Sequence, residues 1–229
     1  MSGVVWSNEK GDVAYVLQQA TPKFNARGEV VELNDTDDKK LFEKGLPTDT
    51  GSNEAISWGR WTDGQSKVKG TGGPGVANGN LATMHHFTVT GAPIGATTGQ
   101  FTSIASTSPT VQANGKLVAT GSVNGATGAF TAALTLNTTG TASYTLTVPV
   151  SGQTFTLTGV ANQTSLSTFA GVSVISSTGT GCNGGCNGTL GGNVSVIGQL
   201  AGSAGTHAGV LYGFDSRLGD VSGVIIFKR

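Results

Sequence analysis

A period-two alternation of apolar and hydroxylated residues, broken at short intervals by turn signals, limits what this chain can fold into more than any other feature. Phe130, Ala132, Leu134 and Leu136 point one way, and Thr131, Ala133 and Thr135 the other. Tyr144, Leu146, Val148 and Val150 alternate with Ser143, Thr145 and Thr147, and Phe155 and Leu157 alternate with Thr154, Thr156 and Thr158. Asn137-Thr138-Thr139-Gly140 and Ser151-Gly152 separate these runs. Successive side chains of a strand face opposite ways, so this is a meander of half-buried antiparallel strands joined by tight hairpins. Further runs of this kind are Val13–Gln19, Ala55–Trp61, His86–Thr90, Gly99–Ala105, Phe169–Ile175, Asn193–Leu200, Ala208–Phe214 and Val221–Phe227, about eleven strands in all.

One stretch reads as helix. In Asp35–Lys44 acidic residues lead and basic residues follow, which complements a helix dipole, and Gly45 and Pro47 would stop it. Gly-rich Lys67–Asn80 and Ser176–Gly188 read as loops, and no fixed repeat suggests a propeller or solenoid. So many antiparallel strands need their edges managed, and closure removes edges altogether. The expected fold is therefore all-β: an antiparallel up-and-down β-barrel of about eight strands with hairpin extensions and one short helix, preferred over a sandwich because no long crossover is evident. The abundant glycines, 37 of 229 residues, would serve as bends where strands curl. Residues 1–22 form an N-terminal strand segment that closes the barrel or is donated to a neighbour, and residues 23–229 form the barrel domain.

Charge is low and unevenly placed. Charged residues make up 11% of the chain, against about 25% in an average globular protein. Residues 1–70 carry 20 of the 26 charges, and between Thr71 and Phe214 there is only Lys116. The net charge of zero offers no excess to neutralise phosphates, which argues against nucleic acid as a partner. No apolar run approaches the roughly 20 residues of a membrane helix. Thr suits exposed strands, since its β-branch favours extended backbone while its hydroxyl hydrates. A Thr, Ser, Asn and Gly surface points to secretion or display at the bacterial cell surface, with the periplasm as alternative. Met1-Ser2-Gly3 opens no signal peptide, so either the chain starts after an export signal or it is a piece of something longer.

Cys182 and Cys186 lie in Gly181-Cys182-Asn183-Gly184-Gly185-Cys186-Asn187-Gly188. Three intervening residues, two of them Gly, let the chain turn back for a disulfide at a loop tip, as suits an oxidising compartment. As a metal site the pair is two ligands short, and it lacks the Cys-x-x-Cys spacing of a redox pair.

Four residues are candidates for ligand binding: Trp58, Arg60, Trp61 and His86. Arg60 stacked on an indole would make a binding platform. The other reading places at least one Trp in the core, with Arg60 paired to a carboxylate such as Asp63 or Glu54. His85 and His86 face opposite sides of a regular strand and so cannot easily share one metal. One of them, His86 foremost, could ligate haem iron. The alternative packs one His near Trp58 or Trp61 and exposes the other. His207 reads as solvent exposed in a Gly/Ala/Thr loop. No nucleophile elbow is present, and no alternating strand–helix pattern would host one, so no enzyme is indicated. Asp35, Asp37 and Asp38 fail the EF-hand spacing, because Lys39 and Lys40 follow at once.

Three blocks carry a family resemblance. The first is Ala55-Ile56-Ser57-Trp58-Gly59-Arg60-Trp61 with His86-Phe87-Thr88-Val89-Thr90-Gly91-Ala92-Pro93 downstream. The second is Gly99-Gln100-Phe101-Thr102 with Ser106-Thr107-Ser108-Pro109-Thr110. The third runs from Cys182 and Cys186-Asn187-Gly188-Thr189-Leu190-Gly191-Gly192 through Ala208–Phe214 to Val221–Phe227. Together they resemble the C-terminal β-barrel region of proteobacterial FecR-domain proteins and, more distantly, the barrel of transferrin-binding-protein-B-like surface proteins. The resemblance covers most of the chain and is weakest before Pro22. It implies an exported barrel of about eight strands. Some members bind host iron proteins or haem. These residues include no FecR sensor domain and no lipobox cysteine, so the resemblance implies neither signalling nor lipid anchoring. The central portion also lacks the charged loops that a binder of host proteins often displays.

Three functions fit these features. The first is a non-catalytic cell-surface module that binds or adheres to a protein partner. The second is a subunit of an extracellular filament or matrix, a homo-polymer self-associating by strand addition through Val4–Ser7 or Val13–Gln19. The third is a carrier of haem or another small ligand at the barrel mouth.

Overall fold

The structure, a computed structural model, describes residues 2–8, 13–67, 79–91, 97–121, 131–137, 140–179, 194–216 and 218–229. They form two antiparallel sheets. The first contains β1 (Ser2–Asn8), β2 (Val13–Gln18), β3 (Thr21–Phe24), β4 (Val30–Asn34), β5 (Lys40–Glu43), β6 (Pro47–Ser52), β7 (Ile56–Trp61), β8 (Gln65–Ser66) and β9 (Gly79–Val89). The second contains β10 (Gly99–Ser106), β11 (Thr110–Ala113), β12 (Lys116–Thr120), β13 (Thr131–Leu136), β14 (Thr141–Val150), β15 (Gln153–Gln163), β16 (Thr168–Gly179), β17 (Val194–Ala201), β18 (His207–Ser216) and β19 (Gly219–Lys228).

The second sheet holds the expected closed barrel. Its strands run β10-β13-β14-β15-β16-β17-β18-β19, and β19 pairs back onto β10. Eight strands so joined leave no edge within the ring. The alternation read from the sequence fills it: Leu134, Tyr144, Leu146, Phe155 and Leu157 lie in the core while Thr145 and Thr158 face solvent. Ser151 and Gly152, at φ 52° and 75°, make the two-residue turn whose twist matches the flanking strands. The β11–β12 hairpin, turned at Asn114-Gly115, hangs on β19 beside the ring.

The first sheet curls around a core of its own. Val4, Val30, Leu33, Phe42, Trp61, Leu81 and Met84 fill the hollow. The opposite face of β1, β7 and β9 packs on the outside of the barrel, where Val5, Ile56 and Phe87 meet Ala201, Leu211, Val224 and Ile226. Central stretches of β18 and β19 are therefore buried on both faces, which is why Ala208–Phe214 and Val221–Phe227 are nearly continuous apolar runs. Within this sheet β1 lies between β2 and β9.

Four expectations are corrected here. Asp35–Lys44 is no helix; it is the turn between β4 and β5, followed by β5 itself. The Asp35 carboxylate accepts from the backbone N–H of Asp37 (2.9 Å) and Lys39 (2.8 Å), and Asp38 turns through φ 59°. Such local side-chain bonds favour a turn over a helix, and the two-strand solution buries both Leu33 and Phe42. Gly79 and Asn80 open β9, and Ser176–Gly179 extend β16, so both loops are shorter than expected. Several glycines serve close approach instead of bending. Gly198 lies under the ring of Phe169 and Gly223 under Tyr212, and a Cβ on Gly209 would sit 2.6 Å from the Phe87 ring. Residues 68–78 of the first loop and 180–188 of the second, with the expected Cys182–Cys186 disulfide, lie outside the described residues.

Candidate functional site

The four predicted residues converge on paired strands β7 and β9, but on opposite faces. Trp61 and His86 point into the hollow of the curled sheet. Trp61 is fully buried, its Nε1–H donates to the carbonyl of Val30 at 2.8 Å, and its ring lies edge-on to His86 at 5.7 Å. His86 is fully buried opposite Gly59, whose missing side chain makes room for the imidazole: a Cβ there would lie 3.0 Å from Nε2. Neither ring nitrogen of His86 has a hydrogen-bond partner, and burial pushes its pKa down to about 3. An axial bond to haem iron from this position requires the curled sheet to open.

Trp58 and Arg60 face the other way. Trp58 is half-buried over Gly51, packed against the apolar seam between the sheets. The Arg60 Nε–H donates to Asp49 Oδ2 at 2.8 Å, so its carboxylate partner is Asp49 and not Asp63 or Glu54. Asp49 Oδ2 also accepts from the backbone N–H of Ser108 at 3.2 Å, which ties β6 of the curled sheet to the turn between β10 and β11.

His85, expected to be exposed if His86 was packed, is fully buried in the same seam. Its ring nitrogens meet the hydroxyls of Thr107 (2.8 Å) and Thr110 (2.7 Å). Thr107 Oγ1 accepts in turn from the backbone N–H of Val224 at 3.1 Å. Burial first, then the neighbouring Arg60 charge, hold the His85 pKa well below the ordinary range. A neutral imidazole fits this place because one nitrogen donates and the other accepts. The Ser-Thr-Ser-Pro-Thr segment at 106–110 is the sequence signal for this seam, with hydroxyls spaced to reach both sides of the ring. His207 is also buried, not exposed: Nδ1 meets Thr206 Oγ1 at 3.0 Å and Nε2 lies 3.5 Å from Glu54.

Two surface features fall outside the predicted residues. On the outer face of β3, β4, β5 and β8, Glu32 pairs with Lys23 (3.1 Å) and Lys40 (3.2 Å), and Glu43 with Lys40 (2.8 Å) and Lys67. Hydrogen bonds from Lys40 and then Lys67 hold the Glu43 pKa at about 2. The exposed charges Asp37, Asp38 and Lys39 flank this network. The second feature is a cleft of about 420 Å³ between the two sheets, with Gln199 in its lining. Among the described residues no group of three or more His, Cys, Asp or Glu side chains could hold a metal ion.

No family model and no curated protein matches this chain. Solved structures do resemble it. A double mutant of Transferrin Binding Protein B from Haemophilus parasuis aligns over 99% of this chain and 44% of its own, with TM-score 0.53 and 11% identity. Transferrin binding protein B from serogroup B Neisseria meningitidis aligns over 100% and 43%, with TM-score 0.50 and 15% identity. Intact Ap-TbpB, solved with its N and C lobes, aligns over 100% and 46%, with TM-score 0.52 and 16% identity. The likeness is one of fold: a closed barrel beside a curled sheet. This chain spans less than half the length of each of these binding proteins.

Proposed function

We propose that this chain is a non-catalytic binding module exposed at the bacterial cell surface, and that its ligand is a protein. The observation that carries the reading is the fold itself, aligned along its whole length with structures of Transferrin Binding Protein B. Arg60, Trp61 and His86 are buried, so they serve as scaffold, and partner contact falls to the charged outer face of the curled sheet. There Lys23, Lys39, Lys40 and Lys67 alternate with carboxylates within a chain otherwise poor in charge, and patterned charge gives an interface its specificity and its on-rate.

Biotinylation of intact cells, followed by surface plasmon resonance on the purified chain, tests this. Transferrin is the first protein to assay. Labelling of the chain on whole cells is expected, with saturable protein binding that weakens at least tenfold in the triple variant Lys23→Glu, Lys39→Glu, Lys40→Glu. A chain that stays unlabelled on intact cells, or binding indifferent to those charges, would overturn the reading.

A second reading has an observation of its own. Among the described residues β12 pairs only with β11, and it exposes Leu117 and Val118. Strand addition there, or exchange of the 1–22 segment between copies at the β1–β9 pairing, would build a polymer. Concentration-dependent growth in mass would favour it.

A further inference from the structure

The cleft between the two sheets has a chemistry that nothing above uses. Gln19 and Thr21 border it from the junction of β2 and β3, Thr36 from the β4–β5 turn, and Val89 from the end of β9. The barrel contributes Ser167 from the β15–β16 turn and Gln199 from β17. This lining divides about evenly between amide or hydroxyl surface and apolar surface, and it includes no ionised side chain. A charged ligand would leave its hydration shell here and gain no counter-charge. A largely apolar ligand would bury amides and hydroxyls without pairing them. An uncharged molecule that both donates and accepts hydrogen bonds and carries some C–H surface matches on both counts.

Gln199 points the same way. Only 1% of it is exposed, and its Nε2 donates to the backbone carbonyl of Leu200 at 3.2 Å. Its Oε1 is buried with no hydrogen-bond partner. Most buried side-chain acceptors in folded proteins are satisfied, so an amide oxygen left unspent in the wall of the cleft is an acceptor that a small turn of the side chain would present to a donor there. The volume of about 420 Å³ lies within the range of small-molecule sites, and the boundary between two structural units is a common place for one.

We infer that this cleft is a binding site for a neutral saccharide of one or two rings, whose hydroxyls pair with Gln19, Ser167 and Gln199 while its C–H face rests on Val89. The site adjoins the charged face assigned to the protein partner at Thr21 and Thr36, but its test reads saccharide binding alone and does not rest on that reading.

Titration of the full chain with maltose, cellobiose and N,N′-diacetylchitobiose, followed by amide chemical shifts, tests the inference. Glucuronic acid and triglycine are the comparison probes. At least one neutral saccharide is expected to give saturable shifts clustered at Gln19, Thr21, Ser167 and Gln199. Gln199→Leu should weaken that binding at least tenfold. Thr21→Trp, at an exposed position that leaves the core untouched, should abolish it by filling the cleft. No saturable shift with any of the three neutral sugars would overturn the inference. So would shifts clustered elsewhere, tighter binding of glucuronic acid or triglycine, or binding unaffected by Thr21→Trp.

Discussion

Replacing His86 with leucine should change how this protein responds to acid. Folding buries the imidazole completely, leaves both nitrogens unpaired and lowers its pKa from 6.5 to about 3. The unfolded chain binds a proton at this site once the pH drops below 6.5, while the folded chain refuses it. Stability from this group is therefore fully present above pH 6.5 and is lost progressively as the pH falls towards 3. The loss is about 1.4 kcal/mol per pH unit below pH 6.5, or about 3 kcal/mol between about pH 7.5 and about pH 4.5. His86→Leu removes the titrating group and two unsatisfied polar atoms, so at neutral pH it should match or exceed the parent. His85 is held down in the same direction, but it is present in both proteins and cancels in their difference. Urea unfolding, followed by tryptophan fluorescence at several pH values, measures the effect. The stability advantage of the variant should grow by about 3 kcal/mol between the two ends of that range. Parallel stability curves would refute the reasoning, because they would mean that His86 is protonated or hydrated in the folded state.

Three further perturbations probe the seam and the barrel. Gly209→Val puts side-chain atoms into the Phe87 ring and should cost about 1–3 kcal/mol by thermal unfolding, since a packed interface resists overfilling. Asp49→Ala should cost about 2 kcal/mol, less than a fully buried pair because Asp49 is partly exposed. The double variant Asp49→Asn, Arg60→Met should recover much of that loss, since Asn tolerates the φ of 50° that Asp49 adopts, and a double-mutant cycle measures the recovery. Gly152→Ala meets no neighbour within 4 Å, so its cost comes from the φ of 75° alone. That cost should be about 1 kcal/mol, and Gly152→Asn should cost less, as denaturant midpoints will show.

Where one face of a strand is wet, the sequence was easy to read. Tyr144, Leu146 and Val148 against Ser143, Thr145 and Thr147 give a register and a face, and the barrel follows from joining such strands. Short strands with few apolar residues left no such trace. β5 and β8 earn their place from Phe42 in the hollow and from pairing with β4 and β9, which are contacts made far along the chain. Lys39, Lys40 and Lys44 after Asp35, Asp37 and Asp38 suggested a helix dipole, yet the Asp35 carboxylate closes a turn. The unbroken apolar runs at Ala208–Phe214 and Val221–Phe227 were the one signal of a second layer on the barrel. As for the candidate site, Trp58, Arg60, Trp61 and His86 fall on two strand runs in the sequence, and the structure pairs those strands as β7 and β9. Which of them could meet a ligand depends on how the curled sheet closes over β7 and β9, and no local pattern encodes that. The cleft at Gln199 is assembled from five separate segments, and single amides and hydroxyls in a Thr-rich chain carry no signal.

Light scattering on protein released from the native cell surface, alone and mixed with its captured partner, tests the central proposal most directly. The expected result is a monomer alone and one discrete heavier complex with the partner. A ladder of multiples in the protein alone would contradict it and make assembly the function.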